Sequence, residues 1–350
     1  EHVIYTMGIK GLTQLLKKKN AYNVVEKHLS KYRGKKIAID TSILLYKYRY
    51  GSGNDQLSHI YGILGKCISF LSNGVIPIFV HDGEPPEEKN DVLSKRTDQR
   101  KKLKDKIETI KTQIREYSSD SDSEDDSQLY KLKASLSKLE KQVVNVSQTH
   151  RKEIFYLLKL LGVPNFVANG EGEASCAELQ KKGIADYAYT EDMDILTFGC
   201  TKFLRASNKK DYYTEISLEN ILDNLKMNQD EFVDLCILCG CDYTCTIPKV
   251  GMMTAFTLIN KNRNIDKIIE KNTKYNIPED FKYIKARELF NQDVVIPEVS
   301  FEMEKLQEEE LIKFLLEEKK MPEKFIERYI QNFKKVSQKF RVNTVKNYFK

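Results

Sequence analysis

Apolar residues recur along this chain in two rhythms. Leu12, Leu15 and Leu16 share one face of a helical period over 11–19. Four other runs are short and nearly continuous: 35–40 (KKIAID), 75–80 (VIPIFV), 165–168 (NFVA) and 185–189 (ADYAY). Runs of this length, bounded by turn residues, read as strands buried on both faces. Helical patterns lie between them. One follows Asp40 and carries Leu44, Leu45 and Tyr48, with Thr41 or Ser42 as its cap; a longer one covers about 57–71 and stops at Asn73-Gly74; another covers 174–181. Pro77 argues against a regular central position for the second strand. Residues 202–216 read as a strand pair on the sheet edge turning at 208–210, 229–239 as an apolar helix stopped by Gly240, and 301–335 as amphipathic packing helices. Strands alternating with helices predict an α/β chain, of one large domain or two smaller ones.

From Pro85 the texture changes. Residues 89–116 are charged and helix-forming, with Lys89, Lys95, Arg96 and Arg100 among the cations. The run 118–127 (SSDSDSEDDS) is too acidic and polar to pack and is expected to be disordered, and 128–161 returns to a helical pattern that ends at Gly162-Val163-Pro164. This reads as a hairpin excursion from the core, with a solvated coiled-coil arm as the alternative.

The net charge is +6, unevenly spread, with lysines crowding 17–19, 31–36, 89–106 and 333–350, a distribution that fits a polyanion such as nucleic acid. The seven cysteines are odd in number and sit mostly in apolar surroundings, which fits a reducing, intracellular setting. Cys236, Cys239, Cys241 and Cys245 lack a second CxxC or a histidine pair at finger spacing, which argues against zinc. No run is long and apolar enough to span a membrane. Met7 opens an organised amphipathic segment, so residues 1–6 are expected to be a cloning remnant.

Acidic residues end the strand-like runs. Asp40 and Asp82 follow the first two, Glu171 and Glu173 the third, Asp192 and Asp194 the fourth, and Asp242 follows the apolar helix. In an open parallel sheet, the crevice beyond the carboxyl ends of the strands is where ligands bind. Seven carboxylates gathered there repel one another unless cations neutralise them, and oxygen-only ligation selects Mg²⁺, or Mn²⁺ in its place, over zinc. Two such ions about 4 Å apart activate water and stabilise the leaving oxygen of a phosphodiester. The segment 247–255, with Lys249 and Gly251, joins two helices in a helix-hairpin-helix-like shape that aims backbone N–H groups at a phosphate.

MGIKGL, AID with Ser42 and Tyr46, HDGEPP with Lys89 and Arg96, EGEASCA, TEDMDILTFG and FVDLCILCGCDY occur in that order. Together they resemble the flap endonuclease family of structure-specific 5′ nucleases, over nearly the whole chain from Met7. The resemblance implies a twisted, mostly parallel sheet between helices, a helical arch over the active site and a helix-two-turn-helix DNA-binding element. It also implies two Mg²⁺ ions held by Asp40, Asp82, Glu171, Glu173, Asp192, Asp194 and Asp242. Glu171, Glu173 and Asp82 would serve mainly one ion; Asp192, Asp194 and Asp242 would serve mainly the other. Lys89 and Arg96 match the cations that steer the scissile phosphate, and Tyr46 the aromatic that stacks near it. Gly8 matches a residue close to the DNA. Arg100, Lys249 and Gly251 fall among the DNA-binding positions, with a K⁺ site at the hairpin.

The implied plan runs 7–84 and 162–245 for the nuclease core, 85–161 for the arch, 246–335 for the hairpin and packing helices, and 336–350 for a basic tail. Within that tail VNTVKNYF, from Val342 to Phe349, resembles a sliding-clamp-binding box that has lost its leading glutamine, or is simply a mobile basic end. Glu84 stands where the family has lysine, and the glycine-rich hairpin has become Lys249-Val250-Gly251-Met252-Met253. The expected activity is cleavage of 5′ flaps, with 5′→3′ exonuclease action, by a monomer acting on flap, nicked or gapped duplex in the nucleus or at another site of DNA replication. The rival readings are a gap, blunt-end or Holliday-junction nuclease and a silent DNA-binding module.

Overall fold

The computed structural model describes residues 8–50, 52, 55–119, 126–142 and 146–346. The expectations for residues 1–6 and Met7 lie outside these, as do those for most of the acidic run and the last residues of the tail.

Among the described residues seven strands form one sheet: β1 (Glu26–His28), β2 (Lys36–Asp40), β3 (Ile76–His81), β4 (Asn165–Val167), β5 (Tyr187–Tyr189), β6 (Lys202–Ala206) and β7 (Tyr212–Ser217). Their order is β1-β7-β6-β5-β2-β3-β4, parallel from β6 to β4 and antiparallel at β6–β7 and β7–β1. The helices are α1 (Leu12–Lys18), α2 (Thr41–Arg49), α3 (Ser58–Ser72), α4 (Asn90–Ser119), α5 (Asp126–Gln142), α6 (Gln148–Leu161), α7 (Gly172–Lys181), α8 (Leu218–Leu225), α9 (Gln229–Cys239), α10 (Met252–Asn262), α11 (Ile265–Glu270), α12 (Tyr283–Asn291), α13 (Glu308–Lys313) and α14 (Glu323–Lys346).

Alternation along the strands divides the interior into two layers. Ile37, Ile39 and Phe79 point into a core shared with α2, α3, α6 and α14, whereas Ala38, Ile78 and Val80 point into one shared with α1, α7, α9 and α10. Each fully buried isoleucine or phenylalanine contributes about 1.5–3 kcal/mol. The sheet is therefore covered on both faces, as a parallel sheet requires.

Several details depart from the sequence reading, each for a local reason. Asp40 itself caps α2, accepting from the N–H groups of Ser42 and Ile43, so neither Thr41 nor Ser42 is the cap. Pro77 lies in an interior strand. It is tolerated because β4 joins β3 only from Phe79 onward, leaving Pro77 paired with β2 alone. The sheet edge beyond β7 is β1, whose Glu-Lys-His sequence carries no apolar signal. α7 begins at Gly172, so Glu171 is its N-cap residue and Glu173 lies in its first turn. Residues 301–307 are not helical, and a π-helical turn, Phe314–Glu318, interrupts the amphipathic stretch. α14 continues to Lys346, so the backbone of the tail is helical to that point.

The excursion is built on α4 and α5, which pack on each other and are bridged by Lys111 and Glu140 at 3.2 Å. α6 then returns the chain to the sheet. The link between α9 and α10 runs from Gly240 to Gly251 and is longer than a tight turn, because it carries Asp242 and Tyr243 on its way.

Candidate active site

β2 is the middle of the five parallel strands, with β3 and β4 on one side and β5 and β6 on the other, and the cleft lies beyond its carboxyl end. The cleft encloses about 260 Å³ and is lined by Asp40, Asp82, Glu171, Glu173, Asp192, Asp194 and Asp242, together with Gly8, Ser42, Tyr46, Lys89, Arg96, Gln148, Arg151, Phe198, Tyr243 and Phe290. All seven acids singled out in the sequence thus face one space.

Each acid is delivered by an element end. Asp40 closes β2 and is buried. Asp82 follows β3, and its Oδ1 accepts from the Gly172 N–H at 2.9 Å while its Oδ2 accepts from the Ser42 hydroxyl at 2.5 Å. Glu173 accepts from the Thr190 hydroxyl at 3.0 Å and Glu171 from the Tyr243 phenol at 2.6 Å. Asp192 opens a 3-10 turn, Met193–Leu196, and accepts from the Asp194 N–H. Asp194 accepts from the Ile9 N–H at 2.6 Å, which draws the start of the chain onto the acids. A Cβ on Gly8 would stand 2.3 Å from Asp192 Oδ1, at a φ of +89° that side chains avoid. Gly8, expected near DNA, is in direct contact with the carboxylate cluster.

Like charges at 4 Å repel by about 4 kcal/mol at the effective dielectric of a protein surface, so the cluster is costly when fully ionised. Burial, reinforced by Asp82, pushes the Asp40 carboxyl up to about 8. Burial and neighbouring acids hold Glu173 and Asp194 well above the usual carboxylate range, and Asp192 is raised mainly by burial. Asp82 goes the other way. Desolvation pushes it up, but the Ser42 hydroxyl, the Arg151 guanidinium and the Gly172 N–H outweigh that and keep it below its ordinary value.

Cations close the far side. Lys89 Nζ lies 2.5 Å from Glu171 and 3.5 Å from Asp242, and Arg96 Nη2 reaches both Asp242 oxygens at 2.9 and 3.1 Å. Both come from the base of the excursion, at the entry to α4. Burial disfavours the Lys89 ammonium, but Glu171 and Asp242 more than compensate and raise its pKa. Arg100 reaches the Tyr46 hydroxyl at 3.5 Å, one helical turn beyond Arg96.

The donor set fits hard divalent ions: carboxylate oxygens throughout, with no cysteine or histidine among the described residues that line the cleft. Among the described residues, no three such side chains stand close enough to form a ready-made cage, since Glu171, Asp242 and Asp82 are turned toward Lys89, Arg96 and Arg151. The donor chemistry carries more weight here than the spacing, because carboxylates reorient by a side-chain rotation.

Lys249 and Gly251 do not join this cleft. Both are exposed on the α9–α10 link, with Lys249 in a left-handed conformation (φ +66°) and a Cβ at Gly251 meeting open space. Glu84 is likewise exposed. Conversely, the cleft contains residues that sequence reasoning did not assign. Tyr243 sits beside Asp242 in the same motif and was open to notice. Arg151 and Gln148, on an ordinary amphipathic helix, carried no distinguishing signal.

The chain matches the XPG N-terminal domain over residues 7–103 and the XPG I-region over residues 162–242. It is 37% identical over 334 residues to the flap endonuclease 1-B of Physcomitrium patens, covering 89% of this chain and 90% of that protein. It is also 37% identical over 331 residues to the flap endonuclease 1 of Nematostella vectensis, covering 89% of this chain and 83% of the relative. Among solved structures, flap endonuclease-1 from Methanococcus jannaschii superposes with a TM-score of 0.65 at 22% identity, over 90% of this chain and 97% of that one. The catalytic core of Rad2 in complex with DNA substrate superposes with a TM-score of 0.66 at 20% identity, over 93% of this chain and all of that one.

Proposed function

The chain belongs to the flap endonuclease family, and from that premise we propose that it is a structure-specific DNA nuclease that hydrolyses phosphodiester bonds at 5′ flaps during replication and repair. The observation that carries this reading is the convergence of seven carboxylates on one cleft at the carboxyl edge of the sheet, faced by Lys89 and Arg96. Divalent metal, Mg²⁺ by preference with Mn²⁺ as substitute, supplies when bound an activated water and charge neutralisation at the leaving oxygen.

The chain's own groups do the rest. Asp40, Asp82, Glu171, Glu173, Asp192, Asp194 and Asp242 are the ligand set, some acting through water. Lys89 and Arg96 sit at the root of α4, where a phosphate entering under the excursion exchanges places with the carboxylates they hold. Tyr46, lining the cleft with Arg100 at its hydroxyl, offers its ring to the nucleotide beside the scissile bond. The exposed Lys249 and Gly251 segment faces the duplex phosphates, with K⁺ as their counter-ion there, and the basic excursion covers the 5′ strand. The finer assignments are a monomer, nuclear or otherwise at replication sites, with a weakened sliding-clamp contact through 342–349.

The choice among family activities is decided by rates on matched, labelled substrates. This reading expects incision at the base of a 5′ flap to outpace cleavage of nicked, gapped, blunt and four-way DNA. A four-way junction cut as fast as the flap would move the assignment to junction resolution.

A further inference from the structure

Arg151 occupies a position in the cleft that none of the readings above uses. It belongs to the first turns of α6, whose start is fixed by a capping box: the Ser147 hydroxyl accepts from the His150 N–H at 3.2 Å, and His150 Nδ1 accepts from the Ser147 N–H at 3.1 Å. The His150 ring is in turn held against that of buried His59, 4.6 Å between centroids. The backbone that carries Arg151 is therefore anchored.

From there Nη1 donates to the Ser42 hydroxyl at 2.8 Å and lies 3.2 Å from Asp82 Oδ2, the same oxygen that Ser42 reaches at 2.5 Å. Gly172 N–H takes the other oxygen. Asp82 is thus held by three donors from three separate elements. Ser42 and Gly172 already set its orientation, and Arg151 adds to them a full positive charge. Lys89, in the turn just before α4, and Arg96, within it, approach Glu171 and Asp242; Arg151 stands on the returning helix, against a different acid.

We propose that Arg151 is a positioning residue that sets how tightly the Asp82 side of the cleft takes a divalent cation. A guanidinium hydrogen-bonded to a ligand oxygen shares that oxygen's lone pairs and repels any ion placed on it, so its charge lowers the affinity of that side. Losing a group that only orients a metal ligand typically weakens metal binding by about 10–100-fold, whereas here Ser42 and Gly172 already orient Asp82 and the charge of Arg151 acts in the opposite direction. The excursion's returning leg is tied by the same contact to the ligand set. This inference rests on the reading of the acids as metal ligands.

The test is Mn²⁺ titration of DNA-free protein, by calorimetry and by the loss of free-ion electron paramagnetic resonance signal, with Arg151→Gln, Arg151→Met and Arg151→Lys beside wild type. Circular dichroism confirms that each is folded. R151Q and R151M are expected to bind Mn²⁺ at least threefold more tightly at the affected site. R151K, which keeps the charge, is expected to stay within twofold of wild type. The Mn²⁺ concentration giving half-maximal cleavage should fall with the same factor, at unchanged KM for DNA. Unchanged binding in both neutral variants overturns the proposal. So does weaker binding, which would leave Arg151 as a purely orienting group. If R151Q and R151M fail to fold, Arg151→His, which loses its charge as pH rises through about 6.5, takes their place: Mn²⁺ affinity that rises from about pH 6 to about pH 8 by more than in wild type upholds the proposal, and a rise no larger than in wild type overturns it. Wild type taking up no Mn²⁺ removes the metal reading itself, an outcome distinct from wild-type uptake that the variants do not alter.

Discussion

The phenol of Tyr243 donates to Glu171 Oε2 at 2.6 Å while Lys89 Nζ stands 2.5 Å from Oε1 of the same carboxylate. One acid is thereby held between the α9–α10 link and the root of α4. A hydrogen bond to a charged group contributes about 1.5–3 kcal/mol. Tyr243→Phe removes that bond but keeps the ring against Phe290, 4.9 Å between centroids. Single-turnover flap cleavage should slow by about tenfold or more, and stability should fall by no more than about 3 kcal/mol. An unaltered cleavage rate would show that Glu171 needs no such support.

Gly8 offers a test of the chain's start. At its φ of +89° any side chain is strained, and a built Cβ would stand 2.3 Å from Asp192 Oδ1, so it must push that carboxylate aside. Gly8→Ala should displace either Asp192 or the Ile9 N–H that Asp194 accepts. The expected result is a drop in kcat of about tenfold or more, with DNA affinity little changed, since the clash is with a carboxylate. A loss confined to DNA affinity would assign Gly8 to the DNA interface instead.

Away from the cleft, Glu153 ties α6 to His59 of α3 at 2.7 Å and to Lys319, after the π-helical turn, at 2.6 Å. Burial pushes its carboxyl up, but these two partners outweigh it and hold Glu153 at about 2. A carboxylate lowered on folding binds fewer protons in the native state, so its stabilisation is present above its ordinary value near 4.5 and is lost as pH falls from there toward 2. Thermal midpoints of wild type should therefore exceed those of Glu153→Gln at pH 6 and converge with them toward pH 2. A difference independent of pH would contradict the assignment.

The parts of this molecule legible in the sequence are those written in short apolar runs and charge. Ile37–Asp40 and the run ending at Asp82 announced buried strands and their terminal acids, and the cleft gathers all seven acids. What escaped depends on tertiary contact. β1 is a three-residue polar strand that exists because β7 pairs with it. Asp40 caps α2 because it is held at a strand end, where its carboxylate meets the first free N–H groups of the helix. Arg151 resembles any cation on an amphipathic helix until the fold brings it to Asp82. Lys249 and Gly251 were legible as a motif separate from the acids, and they stand on an exposed link away from the cleft.

The paired acids after β5, Asp192 and Asp194, belong to the chemistry of cleavage. The direct measurement is single-turnover cleavage of a labelled 5′-flap substrate in Mg²⁺ by wild type and by the double variant Asp192→Ala, Asp194→Ala, with DNA binding followed in parallel. The double variant is expected still to bind the flap but to cleave it at least about a thousandfold more slowly, the scale expected when ligands for a catalytic ion are removed. Cleavage by the folded double variant at the wild-type rate would contradict it.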